Sequence, residues 1–262
     1  MIEREREETI LRVLRTDQFT SVRNLIGLTG ASEATIRRDL IRLEKTGRLR
    51  RVRGGAEILV NPEPDSAPVS SWITDVEEPF SVRIGTRTEQ KRQIARTASR
   101  FCQDGQTVFI DGGSTTFFMA SFLREKRLTV ITNSFAIAQE LRSSSTCRVV
   151  ISGGVINPES LLVFDPTGRD FYKDYSADWL FMSVEGINQG GLTNSQMNVI
   201  QSERQMIKHS ERVVVLADSS KFHASGHIRL CGFYDVDYII SDPTLPAEYR
   251  RMLADKSLEL II

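Results

Sequence analysis

Two short stretches of this chain hold residue types and spacings that could do chemistry. The first is arginine-rich. Arg37, Arg38, Arg42, Arg48, Arg50, Arg51 and Arg53 follow Ser32 and Thr35 within little more than twenty residues. Guanidinium groups neutralise backbone phosphates and match the paired acceptors of guanine, so this is chemistry for a nucleic acid. The second is Asp111-Gly112-Gly113-Ser114-Thr115-Thr116. Its glycines let the backbone approach an anion, its hydroxyls donate hydrogen bonds, and amides at a helix start favour phosphate. Other polar groups are spaced along the same half of the chain: Thr132-Asn133-Ser134, Gly153-Gly154, Glu185-Gly186, Asp218-Ser219-Ser220-Lys221 and Asp242. Glu185 would accept hydrogen bonds from sugar hydroxyls, and Lys221 would neutralise a phosphate. Taken alone, the glycine loop is equally the form of a plain strand-to-helix turn, and the arginines equally a solvated helix face.

The elements that position these groups fall into two sets. In the first, Ile10, Leu11 and Leu14 share a face of an N-terminal helix over 3–16. Ser21 is an N-cap for a short second helix, and Gly30 allows the turn after it. Ser32 caps a third helix that Gly47 ends, with Ile36, Leu40 and Leu43 as its buried stripe. Ala34, Thr35, Arg38, Ile41 and Arg42 then face outward and Arg37 sideways. Arg38 and Thr35 are placed for base edges in a major groove, Ser32 and Arg37 for phosphate. The following RLRRVRGGA predicts a β-hairpin wing with Leu49 inward and its arginines toward DNA.

The second set repeats an apolar strand, a polar or glycine-rich loop and a helix. Strands are predicted at 107–110, 128–132, 148–152, 179–184, 213–217 and 238–241, and helices at 115–124, 135–143 and 198–210. Continuous apolar strands alternating with helices imply a mainly parallel sheet covered on both faces. Ligands of such sheets bind at the carboxyl ends of the strands, where all the polar loops fall. Four of the eight prolines lie at Pro62, Pro64, Pro68 and Pro79, among serines and acids, which reads as an extended linker. The expected layout is a winged helix-turn-helix DNA-binding domain at 1–57, a linker at 58–79 and an effector-sensing α/β domain at 80–262.

Charge supports the division. The formal net charge is zero, yet residues 1–60 carry +4 and residues 32–56 alone carry +5. A basic patch on a neutral chain fits a DNA-reading module joined to an acidic partner. No apolar run reaches the roughly 18 residues a membrane helix needs. The charged start MIEREREETI has no secretory character. Cys102, Cys147 and Cys231 are scattered and odd in number, pointing to unpaired thiols and a cytoplasmic setting.

The segment S32-EATIRRDL-IRLEKTGRLRRVRGGA resembles the signature of the DeoR family of bacterial regulators. Ser32, Thr35, Ile36, Arg37, Arg38, Asp39, Leu40, Leu43, Gly47, Gly54, Gly55 and Ala56 match, and Arg53 stands where histidine is frequent. From Phe80 to Asp242 the chain resembles that family's effector domain. The matches are Phe80…Arg83, Lys91…Ile94-Ala95, the 111–116 loop, Thr132-Asn133-Ser134, Gly153-Gly154, Gly186-Ile187, Gly191-Leu192-Thr193 and 215–222. The resemblance implies a fold similar to ribose-5-phosphate isomerase and glucosamine-6-phosphate deaminase, a phosphorylated sugar as effector, and no catalysis.

The chain departs from the family pattern at Asn157, where arginine is usual, at Asp165-Pro166, at Glu185, and at Glu203, where lysine is usual. Two lost basic groups bear on the effector's charge: either it carries one phosphate held mainly by loop 111–116 and Lys221, or it is an unusual ligand. His223 and His227 have metal-like spacing but no carboxylate or thiol cluster beside them, so no metal is expected. No dinucleotide or Walker motif is present, so no cofactor is expected. The resulting expectation is a sequence-specific DNA-binding repressor of a carbohydrate operon. It would act as a homo-oligomer, dimer or tetramer, on operator DNA and be relieved by a phosphorylated sugar. The alternative is a sugar-phosphate isomerase or deaminase with a DNA-binding head. The predicted DNA contacts are Ser32, Thr35, Arg37, Arg38, Arg42, Arg51 and Arg53. The predicted effector contacts are Asp111, Gly113, Ser114, Thr115, Thr116, Thr132, Asn133, Gly153, Gly154, Glu185 and Lys221.

Overall fold

A computed structural model describes residues 6, 7, 9–11, 13, 14, 19–45, 49–52, 55–58, 78–224 and 226–262. Its contacts gather into two units, Met1–Ser71 and Trp72–Ile262, each with its own core.

In the first unit the described residues between 6 and 14 are helical. They are followed by β1 (Phe19–Ser21), α1 (Val22–Thr29), α2 (Glu33–Lys45), β2 (Leu49–Val52) and β3 (Gly55–Ile58). Ser21 caps α1, its Oγ accepting the Asn24 N–H at 3.1 Å. Gly30 ends α1 in the left-handed region at φ 66°, a conformation costly to any residue with a Cβ, and its N–H reaches Ile26 O. Ser32 caps α2 as expected, its Oγ accepting the Thr35 N–H at 3.2 Å. Ile36, Leu40 and Leu43 are buried together against Ile10, Leu11, Leu14, Val22, Leu25 and Leu49. Each such leucine contributes roughly 1.5–3 kcal/mol relative to exposure. The wing is an antiparallel sheet in the order β1-β3-β2, with Leu49 opposite Ile58 and Val52 opposite Gly55. Its third strand, β1, lies where only a connection was expected. Gly47, Arg48, Arg53, Gly54 and most of the proposed linker lie outside the described residues. Ile58 closes β3, and Glu78 and Pro79 lead into the second unit.

The second unit opens with α3 (Phe80–Gly85) and α4 (Thr88–Ser99). It continues through β4 (Thr107–Ile110), α5 (Ser114–Phe117), α6 (Met119–Leu123), β5 (Thr129–Thr132), α7 (Phe135–Leu141) and β6 (Arg148–Ile151). A small hairpin, β7 (Val155–Ile156) with β8 (Val163–Phe164), precedes β9 (Trp179–Met182). Then come β10 (Gly186–Asn188), β11 (Gly191–Asn194), α8 (Met197–Lys208), β12 (Val213–Leu216), β13 (Ile228–Cys231), β14 (Tyr238–Ile240), α9 (Ala247–Ala254) and β15 (Glu259–Ile261). Seven strands form one sheet in the order β15-β14-β12-β9-β4-β5-β6, and every pairing in it is parallel.

All six strands read from the sequence are present, each within two residues at its ends. Their apolar runs are continuous because both faces are covered: Phe109, Leu180 and Val215 join one core, and Val108, Ile110, Phe181 and Val214 the other. The predicted helix 115–124 is two short helices that meet at Phe118, itself right-handed helical at φ −65°. Sequence reading left out β15, the antiparallel sheet β10-β11-β13, and the helices α3 and α4.

Strand order locates the functional edge. The chain runs outward from β4 through β5 to β6, then returns to the other side of β4 and runs outward through β9, β12, β14 and β15. The direction of winding therefore reverses between β4 and β9. Loops leaving these two strands must diverge, and a crevice opens at their carboxyl ends.

Candidate functional site

The outer face of α2 carries the nucleic-acid chemistry. Ala34, Arg37, Arg38 and Ile41 are exposed, and Thr35 is partly so. Arg38 has no partner among the described residues. Arg37 is held by Glu33 one turn earlier, with Nη2 2.7 Å from Oε1. Arg42 does not project freely: it pairs with Glu7 at 2.6 Å and Asp39 at 2.9 Å. Asp39 is itself buried and receives Arg6 Nε at 2.5 Å. Arg51 pairs with Glu44 at 2.7 Å, which ties the wing to α2. Arg42 and Arg51, predicted as DNA contacts, are thus engaged in holding the unit together, and Arg53 lies outside the described residues. Ser32 spends its hydroxyl on the cap and on Thr35 Oγ1 at 2.9 Å.

In the second unit a cleft of about 510 Å³ opens at the reversal point of the sheet, a size suited to a small ligand. The loop after β4 supplies Asp111, Gly113, Ser114 and Thr115, and the loop after β9 supplies Ser183 and Glu185. Lys221 and Asp218 come from the end of β12. The glycine loop is shaped by crowding. A Cβ on Gly113 would lie 1.6 Å from Ser183 Oγ, and one on Gly112 1.8 Å from Leu162 Cδ2. Only glycine lets β4 and β9 release their loops this close together. Ser114 and Thr115 are nearly buried, line the cleft, and keep hydroxyls with no side-chain bond to the described residues.

Five predicted effector residues do not line the cleft. Thr116 is buried behind the loop, its Oγ1 2.6 Å from Asp111 O and 2.8 Å from Gly113 O, which fixes the turn. Thr132 Oγ1 donates to Ile110 O at 2.6 Å and accepts from Ser134 N at 3.0 Å. Asn133 sits one layer back, donating to Ser202 Oγ at 3.2 Å and bonding Asp111. Gly153 and Gly154 are exposed, and a Cβ on Gly154 would strike Phe164 O at 2.1 Å, so the pair serves the β7–β8 hairpin.

Arg83, Arg87 and Lys91 line the cleft with Lys221. Arg83 and Lys91 already match the family pattern, and the spacing of four residues through Arg87 was the available signal. Lys91 is buried, and its Nζ donates to Arg83 O at 2.5 Å. Burial pushes its ammonium down to about 8; Asp218 opposes the shift, while Lys221 and Arg83 add to it. Arg87 stands in the left-handed region at φ 52°, uncommon outside glycine. Its Nη1 donates to Ser219 Oγ at 3.2 Å, and its Nε lies 3.7 Å from Asp218 Oδ1. Asn157, where the family pattern has arginine, instead accepts the Glu159 and Ser160 N–H groups and shapes a turn.

Asp111 is the central acid. Its Oδ1 meets no hydrogen-bond donor of the described residues. Burial pushes the carboxyl up to about 6, against the pull of the Gly112 and Ser183 N–H groups and the Asn133 carboxamide. His227 also lines the cleft, whereas His223 contacts Tyr249 through Nδ1 at 3.3 Å. Among the described residues no three His, Cys, Asp or Glu side chains gather as metal ligands, and no helix is long and apolar enough to cross a membrane. The three cysteines are free.

Two family models match the chain: a DeoR-like helix-turn-helix domain over residues 6–61 and a DeoR C-terminal sensor domain over 86–243. An uncharacterized HTH-type transcriptional regulator of Haemophilus influenzae is 29% identical over all of this chain and 98% of its own length. A putative aga operon transcriptional repressor of Escherichia coli O157:H7 is 30% identical, over 98% of this chain and 93% of its own. Among solved structures, ribose 5-phosphate isomerase A from Neisseria gonorrhoeae is 18% identical over 52% of this chain, with a TM-score of 0.37, and the match spans 54% of that protein. With both of its domains matched, the chain belongs to the DeoR family of transcription regulators.

Proposed function

We propose that the chain is a ligand-switched repressor of a carbohydrate operon in the cytoplasm, acting as a homo-oligomer and relieved by a phosphorylated sugar. The observation that carries this reading is the cleft at the sheet's reversal point, which Lys91, Arg83, Arg87 and Lys221 line together with Ser114 and Thr115. The phosphate takes these cations and hydroxyls, and the sugar's hydroxyls donate to Asp111 and Glu185. Charge-assisted hydrogen bonds from lysine, arginine and hydroxyl donors are the strong contacts available to a phosphate. Arg38 and Thr35 read base edges, while Ser32 and Arg37 take backbone phosphate. Arg42, Arg51 and Arg53 add positive potential, the first two only by leaving Glu7, Asp39 and Glu44. The functional layout is a DNA head at 1–57, a linker at 58–79 and a sensor at 80–262. The body senses and does not turn its ligand over.

The test is a gel shift on DNA flanking the chain's own gene, followed by a search for a phosphorylated sugar that relieves the shift. Relief by one such metabolite supports the reading. Conversion of that metabolite by the purified chain would instead establish an isomerase or deaminase with an appended head.

A further inference from the structure

A second recess, of about 460 Å³, lies between the end of α8 and β13 and shares no lining residue with the effector cleft. Ile207 and Leu230 supply apolar surface to it, and Arg204, Lys208, Arg229 and Tyr234 bring the chemistry. Arg204 and Lys208 stand one turn apart on α8, a like-charge spacing that weakens a helix and that an anion relieves. Arg204 is held in place. Its Nε donates to Leu230 O at 3.0 Å and its Nη2 to Arg229 O at 2.7 Å, so the guanidinium bridges α8 and β13. The side chains of Lys208 and Arg229 are exposed and have no hydrogen-bond or ion-pair partner among the described residues. One acid, Asp235, also lines the recess, with Oδ2 accepting the Gly232 N–H at 2.9 Å. Glu203, next to Arg204 in sequence, lines the effector cleft instead. Tyr234 is 78% exposed and rests over Gly232: a Cβ there would lie 2.4 Å from Tyr234 Cε1 and 3.0 Å from Arg229 Nη2. The bare glycine thus sets an open aromatic ring and a free guanidinium over one spot.

We propose that this recess binds a nucleotide, its phosphate among Lys208, Arg229 and Arg204 and its base stacked on Tyr234. Three cations against one acid call for an anion, and lysine and arginine give phosphate its strong, charge-assisted bonds. Phosphate alone leaves the exposed ring unexplained. A base uses it: aromatic side chains beside cations hold nucleobases by stacking, whatever the base, because every base has a π face. Ile207 and Leu230 add the apolar surface that a stacked ring covers. The volume lies within the range of small-ligand sites.

Isothermal titration calorimetry on the full-length chain tests this with AMP, GMP, CMP, UMP and ATP, against the matching nucleosides and inorganic phosphate. The expected result is a nucleotide bound at least about ten-fold more tightly than its nucleoside and than inorganic phosphate, the range of a charge-assisted bond. Tyr234→Ala weakens that nucleotide about five-fold or more, the low end for losing an aromatic under a base, and Tyr234→Phe retains it. Arg229→Ala weakens it about ten-fold or more. Binding by none of the nucleotides overturns the inference. So does a nucleotide held no better than inorganic phosphate, since the ring then takes no part. A nucleotide whose affinity survives both Tyr234→Ala and Arg229→Ala binds elsewhere on the chain and overturns the assignment to this recess. The wild-type panel needs no variant, so a substituted chain that fails to fold does not spare the proposal.

Discussion

Gly113→Ala is the perturbation whose consequence the geometry fixes most tightly. Gly113 has φ −81° and ψ 161°, an extended conformation open to any residue, so alanine costs nothing in backbone strain. The cost is space. The new methyl would lie 1.6 Å from Ser183 Oγ and 2.6 Å from Ser183 Cβ, so either Ser183 or the loop must move. Overpacking of this kind costs about 1–3 kcal/mol, and in a unit this size each kcal/mol lowers Tm by about 2–4 °C. Because the two residues flank the opening between β4 and β9, the same displacement separates Ser114 and Thr115 from Glu185 and weakens effector binding. Ser183→Gly removes the obstructing atoms, so the double variant should recover most of both losses, a coupling of about 1 kcal/mol or more. Thermal melts and effector titrations on the four chains of the cycle measure it. Strict additivity, with no recovery in the double variant, would refute the claim that contact with Ser183 is why residue 113 is glycine.

Asp39→Ala removes the buried carboxylate that receives both Arg6 and Arg42, and removing one partner of such a buried pair costs about 3 kcal/mol. The DNA-binding unit should melt first, seen as early loss of operator binding while effector binding persists. Arg38→Ala should cost about 1–3 kcal/mol of operator affinity at the cognate site and less on random DNA, measured by fluorescence anisotropy on both. Asp111→Asn tests the buried acid. Its carboxyl is held up near 6 against an ordinary 3.8, so the folded state binds more protons than the unfolded one between those values. Stability from this group therefore falls as pH rises from about 4 to 6, and the asparagine variant should lose that component in denaturant titrations across the interval. Lys91 has the opposite arrangement: with its ammonium down near 8 instead of 10.5, its charge is lost as pH passes 8. Inorganic phosphate affinity should weaken through that pH, and Lys91→Met should flatten the profile.

The parallel sheet was legible because its strands are short, uninterrupted apolar runs such as TVFI and VVVL, and only a two-faced core calls for that pattern. The caps Ser21 and Ser32 and the stripe Ile36, Leu40 and Leu43 were legible because hydroxyl caps and helical spacing are local properties. What lay hidden depends on strand order, which no local pattern encodes. Thr132 and Thr115 are both hydroxyl residues at strand-to-helix loops. Only the reversal between β4 and β9 brings Thr115 to the cleft and leaves Thr132 bonded to Ile110 O. Arg83, Arg87 and Lys91 were not placed at the site because only the fold brings α3 and the start of α4 to the loops that leave β4 and β9. Arg42 and Arg51 were read as outward-facing from helix and strand geometry, which says nothing of the Glu7, Asp39 and Glu44 that hold them.

The central claim is that DNA and a phosphorylated sugar bind to one chain in opposition, and thermodynamic linkage gives it a direct test. The operator dissociation constant of the full-length chain is measured with and without saturating effector, and the effector's constant with and without operator DNA. The account predicts that both weaken by the same factor, about five-fold or more, because a coupling free energy is reciprocal. An effector that binds the chain tightly yet leaves operator affinity unchanged would contradict it.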